Sequence, residues 1–368
     1  MMILGIETSC DETAAAIVEN GRIIHSNVIS SQIALHRAHG GVVPELAARA
    51  QLTAIIPVIE QAFTDASTTL GDLDLIAFTQ GPGLAGSLLV GVNAAKTLGF
   101  ARDIPLLGIN HLEAHVYANW LTTPDQPDAP EPAFPAICLL VSGGHTDLLL
   151  LHDHQTFESL GQTIDDAAGE AFDKGARLLG LGYPGGPAIQ KAAQGGDPAA
   201  FEFPRAWLGE SDDFSFSGLK TSLLRTVGQW RLPDPPRPPT DLPFPIHIPP
   251  LYRDDMPLAD LAASFEQAII DVLATKTVRA AIRHKARTVL LAGGVAANAK
   301  LREDLARRVA SQADEFGGTL PEVRWPPFAL CTDNAAMIAG LGYRRWQAGQ
   351  RTALDADAYP RWPIGSTT

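Results

Sequence analysis

The sequence predicts an α/β fold that is duplicated into two lobes with a central cleft. A strand–turn–strand opening begins at residue 3 and is repeated from residue 136, after a proline-rich stretch. Both openings are followed by short apolar strands that lead into helices. A unit that occurs twice indicates a duplicated fold, with ligands expected between its halves. We therefore expect a first lobe at 1–121, a linker at 122–135, a second lobe at 136–331, a helix at about 332–348 that packs back on the first lobe, and a tail at 349–368.

Composition and charge limit the classes of protein. Of 368 residues, 46% are hydrophobic and 19% are charged, so the chain can bury a large core. The net charge of −13 disfavours a general attraction to nucleic acid or membranes and leaves room for a local basic groove or a basic partner subunit. Three widely separated cysteines without a Cys-x-x-Cys pair predict a reducing, cytoplasmic compartment. Neither a signal peptide nor a membrane span is predicted.

The first opening contains strands at 3–6 and 14–18 around a polar turn, with a third strand at 22–29. A buried strand followed by a turn rich in hydroxyls and acids resembles the start of actin-like and sugar-kinase-like ATPases. In those proteins the turn faces a phosphate, and an aspartate manages metal or water. An ordinary hairpin loop explains the pattern equally well.

A helix at 43–63 and a strand at 73–79 precede a glycine-rich turn at 80–87. Glycines between a strand and a helix let backbone amides approach an anion at the helix N-terminus, although they also form tight turns without a ligand. The next helix is expected at about 88–99, and the next strand at 105–109.

The run from 110 to 121 is predicted to be a helix that carries His111 and His115. Residues four apart lie on one helical face, so the two imidazoles can hold one transition-metal ion. Their position just past the carboxyl end of a strand favours this interpretation over two solvated histidines. Glu113 is about 200° round the helix from His111 and points away from such a metal. It therefore differs from the general base of the His-Glu-x-x-His motif of zinc proteases.

The expected linker contains five prolines, and the second opening follows it. Strands are predicted at 136–141 and 147–151, around a turn that contains Gly143, Gly144 and His145. The turn either offers amides to a ligand or is a plain hairpin. His145 either assists at a site or is merely half exposed.

A helix is predicted at about 164–179, and its acidic residues (Asp165, Asp166, Glu170 and Asp173) are expected to form mostly a solvated face. A rigid turn is predicted at 183–187. The serine- and lysine-containing segment 214–221 leads into a helix to about 230, where it either meets phosphate or caps the helix.

The stretch 232–257 contains ten prolines and is expected to be a surface insertion or a mobile loop. A long helix at 258–284 and a strand at 287–291 then lead to Gly293-Gly294. In actin-like folds a glycine pair at this position packs beside the nucleotide, because a side chain would collide with the base or ribose.

A last helix is predicted to open near Cys331 and to run to about 347. Asp333 either caps this helix or supplies a carboxylate to the histidine pair. Two histidines and one carboxylate leave open coordination positions, as a catalytic metal requires.

Together these motifs resemble one family, the bacterial form of the universal tRNA N6-adenosine threonylcarbamoyltransferases, once described as O-sialoglycoprotein endopeptidases. The resemblance covers nearly the whole chain, and so many motifs in one order make it specific. It implies a duplicated actin/Hsp70/sugar-kinase-like (ASKHA) fold. The motifs that carry it are residues 5–13, 81–84, His111 with His115, 141–146, 165–174, 183–187, 214–221, 292–298 and 331–335.

The resemblance implies transfer of a threonylcarbamoyl group from threonylcarbamoyl-AMP to the N6 amine of the adenosine next to the anticodon, at position 37, in tRNAs that read codons beginning with A. One divalent metal ion is implied on His111, His115 and Asp333, namely Fe²⁺ by resemblance, while the ligand chemistry also permits Zn²⁺. We expect Asp11 or His145 to accept the proton. The residues implied to bind the substrate are Leu140, Val141, Ser142, Gly143, Gly144, Asp173, Gly186 and Asn298.

The implied partners are tRNA, a catalytically inert ASKHA paralogue (TsaB-like) and a P-loop ATPase (TsaE-like), with no membrane. The alternatives are an ASKHA-type ATPase or kinase, a scaffolding paralogue, and a metalloendopeptidase. An ATPase has no need for the histidine pair with Asp333, an inert copy has little reason to keep all three ligands, and the placement of Glu113 argues against a peptidase. The chain departs from the family in its long proline-rich stretch and in Ala114, where many members have glycine.

Overall fold

A computed structural model describes residues 1–233 and 247–366 of the chain. Part of the predicted insertion at 232–257, namely 234–246, therefore lies outside the described residues, as do the last two residues of the predicted tail. Among the helices of the described residues, none is long and apolar enough to cross a membrane.

Two five-stranded sheets with the same internal order form the centre of the molecule. In each sheet the first strand pairs antiparallel with the second and the second with the third, while a fourth and a fifth strand add in parallel on the other side. The first sheet contains β1 (Met2–Glu7), β2 (Glu12–Glu19), β3 (Ile23–Ser31), β4 (Leu75–Gly81) and β5 (Leu106–Asn110). The second contains β6 (Ala136–Val141), β7 (Thr146–Leu151), β8 (Phe157–Gln162), β9 (Thr288–Ala292) and β10 (Glu322–Arg324). This repetition confirms the predicted duplicated α/β fold.

Eleven α-helices of the described residues pack on these sheets. They are α1 (Ile33–Arg37), α2 (Pro44–Asp65), α3 (Ala85–Arg102), α4 (His111–Tyr117), α5 (Ala168–Leu178), α6 (Gly185–Ala192), α7 (Ser217–Val227), α8 (Leu258–Arg283), α9 (Ala299–Ala310), α10 (Phe328–Cys331) and α11 (Ala335–Gln347). The long amphipathic helices were predicted within a few residues. The short elements α1, α6, α10, β8 and β10 were not, because each is too short to show a clear hydrophobic period.

The predicted helix at 164–179 is wrong at its beginning, since α5 starts only at Ala168. Asp165 precedes the helix and, although exposed, is engaged with the start of another helix. Its carboxylate accepts hydrogen bonds from the hydroxyls of Ser215 and Ser217 and from two backbone amides at the start of α7. Asp166 pairs with Lys174 at 2.8 Å. These acids hold the chain in a loop, and Asp165 stabilises the N-terminus of α7 as a capping carboxylate does.

Helices α4 and α11 lie between the two sheets. Leu112 of α4 and Met337 of α11 belong to one buried apolar cluster that also contains Ile3 of the first sheet and Cys138 and Leu290 of the second. Burial of each large apolar side chain stabilises the fold by about 1.5–3 kcal/mol. This shared cluster places the histidine helix at the junction of the two sheets, near the carboxyl ends of their parallel strands.

Candidate metal and substrate site

The site is built around α4, a helix of seven residues that begins immediately after β5. Asn110 caps it, because its Oδ1 accepts hydrogen bonds from the backbone N–H groups of Leu112 and Glu113 at 2.9 and 3.2 Å. Every residue of the helix is buried. The predicted helix to 121 continues after Tyr117 as a short 3₁₀ turn.

His111, His115 and Asp333 come together at the start of this helix. The Nε2 of His115 lies 3.1 Å from Oδ1 of Asp333, and the Nε2 of His111 lies 3.6 Å from the same oxygen. Asp333 does not cap α11, as one interpretation of the sequence proposed. Asn334 is the cap instead, since its Oδ1 accepts a hydrogen bond from Met337 N at 3.1 Å. The Asp333 carboxylate is therefore free of the helix and faces the two imidazoles.

Glu7 orients the first histidine. It ends β1, is fully buried, and its Oε2 lies 2.9 Å from Nδ1 of His111. The same carboxylate accepts hydrogen bonds from Thr79 Oγ1 of β4 and from the backbone N–H of Ser9, both at 2.5 Å. Three neighbouring parallel strand ends thus meet in one network. A carboxylate on one ring nitrogen of a histidine fixes its tautomer and leaves the other nitrogen for a metal.

The three side chains fit a divalent metal ion. One ligand atom from each lies within 4.8 Å of the others. Donor atoms held at about 2.1 Å from one ion lie roughly 3–4 Å apart. His115 also has an unsatisfied polar atom, because its Nδ1 is buried with no hydrogen-bond partner in the described chain. Two imidazoles and one carboxylate suit iron or zinc and leave coordination positions open.

The ionisable side chains of this cluster shift one another's pKa values. Burial acts to lower the pKa of His111, but the carboxylates of Glu7 and Asp333 outweigh it and raise the pKa to about 9. Burial and the neighbouring charge of His111 hold the pKa of His115 below its ordinary value. The two imidazoles outweigh the burial of Asp333 and lower the pKa of that carboxyl. At neutral pH the metal-free site therefore contains a protonated His111 between the Glu7 and Asp333 carboxylates, beside a neutral His115, and a divalent cation that bound there would replace the His111 proton.

Glu113 takes no part in this cluster, as the sequence predicted. Its Oε2 accepts a hydrogen bond from Arg345 at 2.6 Å, and its Oε1 accepts one from the backbone N–H of Gly365 at 2.9 Å. Both oxygens face the far side of α4 from the histidines. A carboxylate held in this way is not available as the general base of a peptidase.

The side chains of Asp11 and His145 interact electrostatically with the metal-ligand candidates. Burial and the charge of Asp333 raise the pKa of Asp11. Burial, followed by electrostatic repulsion from the neighbouring imidazoles of His111 and His115, lowers the pKa of His145 to about 4. His145 is therefore neutral at neutral pH, with one ring nitrogen able to accept a proton.

Tyr183 was not among the predicted site residues, but charges from both halves of the chain act on its hydroxyl. Burial and the negative charges of Asp11 and Asp173 all raise the pKa of its hydroxyl, so these two carboxylates from different halves lie near it. Burial raises the pKa of Asp173 to about 6, although its Oδ1 accepts a hydrogen bond from Gly185 N at 2.6 Å. Asp173 is thus not part of a solvated face.

The residues predicted to bind substrate differ in how exposed they are. The side chains of Leu140 and Val141 are buried in the cores, so only their backbone can reach a ligand. Gly143 and Gly144 are exposed, and a Cβ added at either would meet nothing within 4 Å. Ser142 closes this turn through a hydrogen bond from its backbone N–H to the carbonyl of His145 at 2.9 Å. The turn is open on its outer side, as a ligand-binding loop requires.

Asn298 and Gly186 lie at the starts of two helices. Asn298 caps α9 through a hydrogen bond from Leu301 N, and its Nδ2 donates to Glu266 Oε1 at 2.7 Å. Gly186 lies in the first turn of α6, and a Cβ added there would meet no atom within 4 Å. Glu266 was not predicted from the sequence. It lies within a long amphipathic helix, where nothing separates it from an ordinary surface acid.

The glycine turn between β4 and α3 is packed rather than open. Gly83 N donates to Pro360 O at 3.3 Å, and Leu84 N donates to Ser9 O at 2.8 Å. A Cβ on Gly83 would lie 2.5 Å from that same Ser9 oxygen. Close backbone packing therefore accounts for the glycine at position 83.

Known proteins of one family match this chain along nearly its whole length. A family model for TsaD, tRNA N6-adenosine threonylcarbamoyltransferase, matches residues 23–340. A protein of that name from Thermomicrobium roseum is 57% identical over 368 residues, covering 100% of this chain and 98% of its own. One from Bacillus subtilis is 49% identical over 361 residues, covering 98% and 95%.

Solved structures of low identity share the fold alone. HypF from T. kodakarensis matches with a TM-score of 0.56 at 15% identity, over 94% of this chain and 48% of that one. Component A of the Acidaminococcus fermentans (R)-2-hydroxyglutaryl-CoA dehydratase matches with a TM-score of 0.50 at 13% identity, over 94% and 98%. The fold is thus of the ASKHA type, and by its sequence the chain belongs to the tRNA N6-adenosine threonylcarbamoyltransferase family.

Proposed function

We propose that this protein transfers the threonylcarbamoyl group from threonylcarbamoyl-AMP to N6 of the adenosine at position 37 of tRNAs that read codons beginning with A. The observation that carries the proposal is the match to relatives of that name along the full length of both chains, at up to 57% identity among those compared. The geometry at the junction of the sheets supports it, because metal-ligand candidates, an open loop and proton acceptors lie together there.

The adenylate end of the donor is assigned to the open turn and to Asp173. The exposed backbone amides of Gly143 and Gly144 are free to donate to phosphate or carbonyl oxygens. The Asp173 carboxylate can accept hydrogen bonds from ribose hydroxyls. The side chain of Asn298 already hydrogen-bonds Glu266 and caps α9, so we propose that it shapes the substrate site.

The reaction is an acyl transfer to nitrogen. The lone pair of the adenosine N6 forms a bond to the carbamoyl carbon, the bond from that carbon to the phosphate oxygen breaks, and AMP leaves with the electron pair. One N6 proton must also be lost. The candidate acceptors are the neutral imidazole of His145 and the ionised carboxylate of Asp11, both of which interact electrostatically with Asp333. A closed cleft keeps water from the reactive mixed anhydride.

His111, His115 and Asp333 are proposed as the metal ligands, with Fe²⁺ as the expected ion and Zn²⁺ as the alternative. A bound divalent ion supplies Lewis-acid stabilisation of a polarised oxygen and a fixed point for the donor. Glu7 holds the His111 ring so that its Nε2 faces Asp333.

The partners are proposed from the family. The acidic chain, with a net charge of −13, gives little general attraction for a polyanion. We therefore expect tRNA docking to need an inert ASKHA paralogue and a P-loop ATPase. Two lobes at 1–121 and 136–331, joined by the linker at 122–135, remain our proposed division of the chain.

The alternatives have no observation in their favour. The Glu113 carboxylate is occupied by Arg345 and Gly365, which argues against a metalloendopeptidase. An ATPase or kinase does not explain why His111, His115 and Asp333 converge on one point.

The test is direct formation of the modified nucleoside. Purified protein is incubated with its two partners, fresh threonylcarbamoyl-AMP and unmodified tRNA, and the digested tRNA is measured by mass spectrometry. The wild type is compared with a His111→Ala/His115→Ala variant and with His152→Ala, a control at an exposed histidine. We expect product with the wild type and the control only. No product in any sample, with an active donor and active partners, would overturn the proposal.

A further inference from the structure

We propose that Glu113 is a positioning residue, which joins α4 to α11 and to the C-terminal segment 357–366 and so holds the two histidines opposite Asp333. We call the segment 357–366 the strap. The inference rests on the proposed metal site and adds a residue that contacts neither metal nor substrate.

Glu113 is almost fully committed to these two partners. Its side chain is only 7% exposed, and that of Arg345 is 11% exposed. One carboxylate oxygen accepts from the Arg345 guanidinium and the other from the Gly365 backbone N–H. A charge-assisted hydrogen bond that is shielded from water is stronger than an ion pair exposed to it.

The Glu113–Arg345 bond connects the two elements that carry the proposed ligands. His111 and His115 lie on α4, and Asp333 comes directly before α11, which ends two residues after Arg345. Along α11 the two attachments are 12 positions apart (345 − 333), at Asp333 before the helix and at Arg345 near its end, whereas on α4 they lie on opposite faces of one short helix. Two separated attachments fix the relative rotation of two helices, which one attachment cannot do.

The strap holds α4 from outside. The side chain of Asn110, which caps α4, donates to the carbonyl of Trp362 at 3.1 Å, and Gly365 N donates to Glu113. Farther along, Tyr359 N donates to the carbonyl of Gln80 at 2.7 Å, beside the strand end of β4. The strap thus binds both the first turn of α4 and the adjoining sheet.

A short helix needs this support. Helices much shorter than about 12–15 residues do not hold themselves in water, and α4 has seven. The positions of the His111 and His115 rings therefore depend on tertiary contacts of α4. If these rings are displaced, they bind a metal ion less tightly. Removing outer contacts of a metal site typically lowers affinity by about 10–100-fold.

The experiment measures metal binding directly, without tRNA or donor. Metal-free full-length Glu113→Gln is titrated with Co²⁺, and its dissociation constant and visible absorption spectrum are compared with the wild type. The variant is expected to fold, because Arg345 keeps Gln155 O and Oε1 as acceptors at 3.1 and 2.9 Å. Because Glu113 lies one step farther from the metal than a group that hydrogen-bonds a ligand, we expect Co²⁺ to bind up to about 10-fold more weakly, with a changed spectrum.

Glu131→Gln is the matched control. Glu131 pairs with Arg344, the neighbour of Arg345 on α11, and with Arg22, and among the described residues it makes no direct hydrogen bond or ion pair with α4. Its removal is expected to leave the Co²⁺ affinity and spectrum unchanged. Glu113→Gln with the same affinity and spectrum as the wild type would overturn the inference and leave the proposed function intact. If both variants bound Co²⁺ more weakly by the same factor, the cause would be a general loss of stability, and the inference would also be overturned.

A second variant decides the matter if Glu113→Gln does not fold. Gly365 is exposed, has φ +75°, and a Cβ there would lie 3.0 Å from Phe157 O, so Gly365→Ala displaces the end of the strap without touching the core. We expect a smaller loss of Co²⁺ affinity in the same direction, and unchanged binding would refute the positioning role. Wild-type protein that binds no Co²⁺ would overturn both this inference and the proposed metal site.

Discussion

The Nε2 of His115 and Oδ1 of Asp333 lie 3.1 Å apart although 218 positions separate the two residues in the chain. One follows the last strand of the first sheet, and the other precedes the last helix, so only the fold brings them together. The contact turns a histidine pair, which is ambiguous alone, into a set of three donors. Substitutions of the proposed ligands, of the residues that orient them and of the proposed substrate site test this arrangement.

Replacing Asp333 by Asn is expected to weaken metal binding by roughly 100-fold or more, because a neutral amide replaces the anionic ligand between the two imidazoles. Titration with Co²⁺ measures the effect, and tRNA modification is expected to fall with it. Asp355→Asn, at an exposed acid, is the control. Unchanged affinity in Asp333→Asn would show that this carboxylate is not a ligand.

Glu7→Gln is expected to reduce metal affinity by about 10–100-fold without removing a ligand. The amide keeps one acceptor for the three donors around Glu7 but loses the charge that orients His111. Excess metal should therefore restore much of the activity, which separates this variant from Asp333→Asn. Loss of activity that no metal concentration restores would contradict an orienting role.

Asp147→Asn is expected to stabilise the protein above pH 6. Burial raises the pKa of Asp147 from 3.8 to about 6, and its Oδ2 has no hydrogen-bond partner within the described ranges. Because the folded-state pKa lies above the unfolded one, the wild type loses stability as the pH rises from about 4 to 6. The neutral amide avoids this loss, which is about 1–2 kcal/mol after allowance for partial exposure.

Thermal unfolding of wild type and Asp147→Asn at pH 5 and pH 8 measures this effect. The difference in Tm should be larger at pH 8, whereas Asp128→Asn, at an exposed position, should show none. Equal differences at both pH values would mean that ionisation of Asp147 is not the cause.

Asp173→Asn is expected to weaken nucleoside binding at pH 8 and to abolish its pH dependence. The pKa of Asp173 is raised to about 6, so its carboxylate is the main form above that pH and is lost below it. Wild-type affinity for adenosine, which does not itself titrate there, should therefore fall as the pH is lowered from 8 to 5. Calorimetric titration checks this, and a wild-type affinity that stays constant would contradict the assignment of Asp173 to the ligand.

Gly293→Ala is expected to destabilise the protein by about 1–3 kcal/mol, whereas Gly294→Ala is expected to fold normally. Gly293 has φ +84°, and a Cβ there would lie 2.5 Å from Val141 O, while the same atom on Gly294 meets nothing within 4 Å. Denaturant unfolding compares the two. If Gly294→Ala nevertheless loses donor binding, the open side of this turn faces the nucleotide.

Much of the fold could be predicted because its signals are local. The strand–turn–strand pattern from residue 3 and its repetition from 136 reappear as the two sheets of equal order. The spacing of His111 and His115 places both rings on one face of α4, and it places Glu113 on the other. These relationships depend on the periods of helix and strand, which the sequence of residues carries directly.

The remaining relationships depend on contacts between distant segments. Asp165 looked like part of a charged helix, but it caps α7 fifty residues later. Glu7 gave no local sign that it would contact His111, and Tyr183 gave none that the charge of Asp11 would act on its hydroxyl. The sequence by itself determined the repeated architecture and the histidine face, since both follow from backbone periodicity. Only the tertiary structure decided which carboxylates face the histidines and which support them from behind, because burial and packing choose those partners.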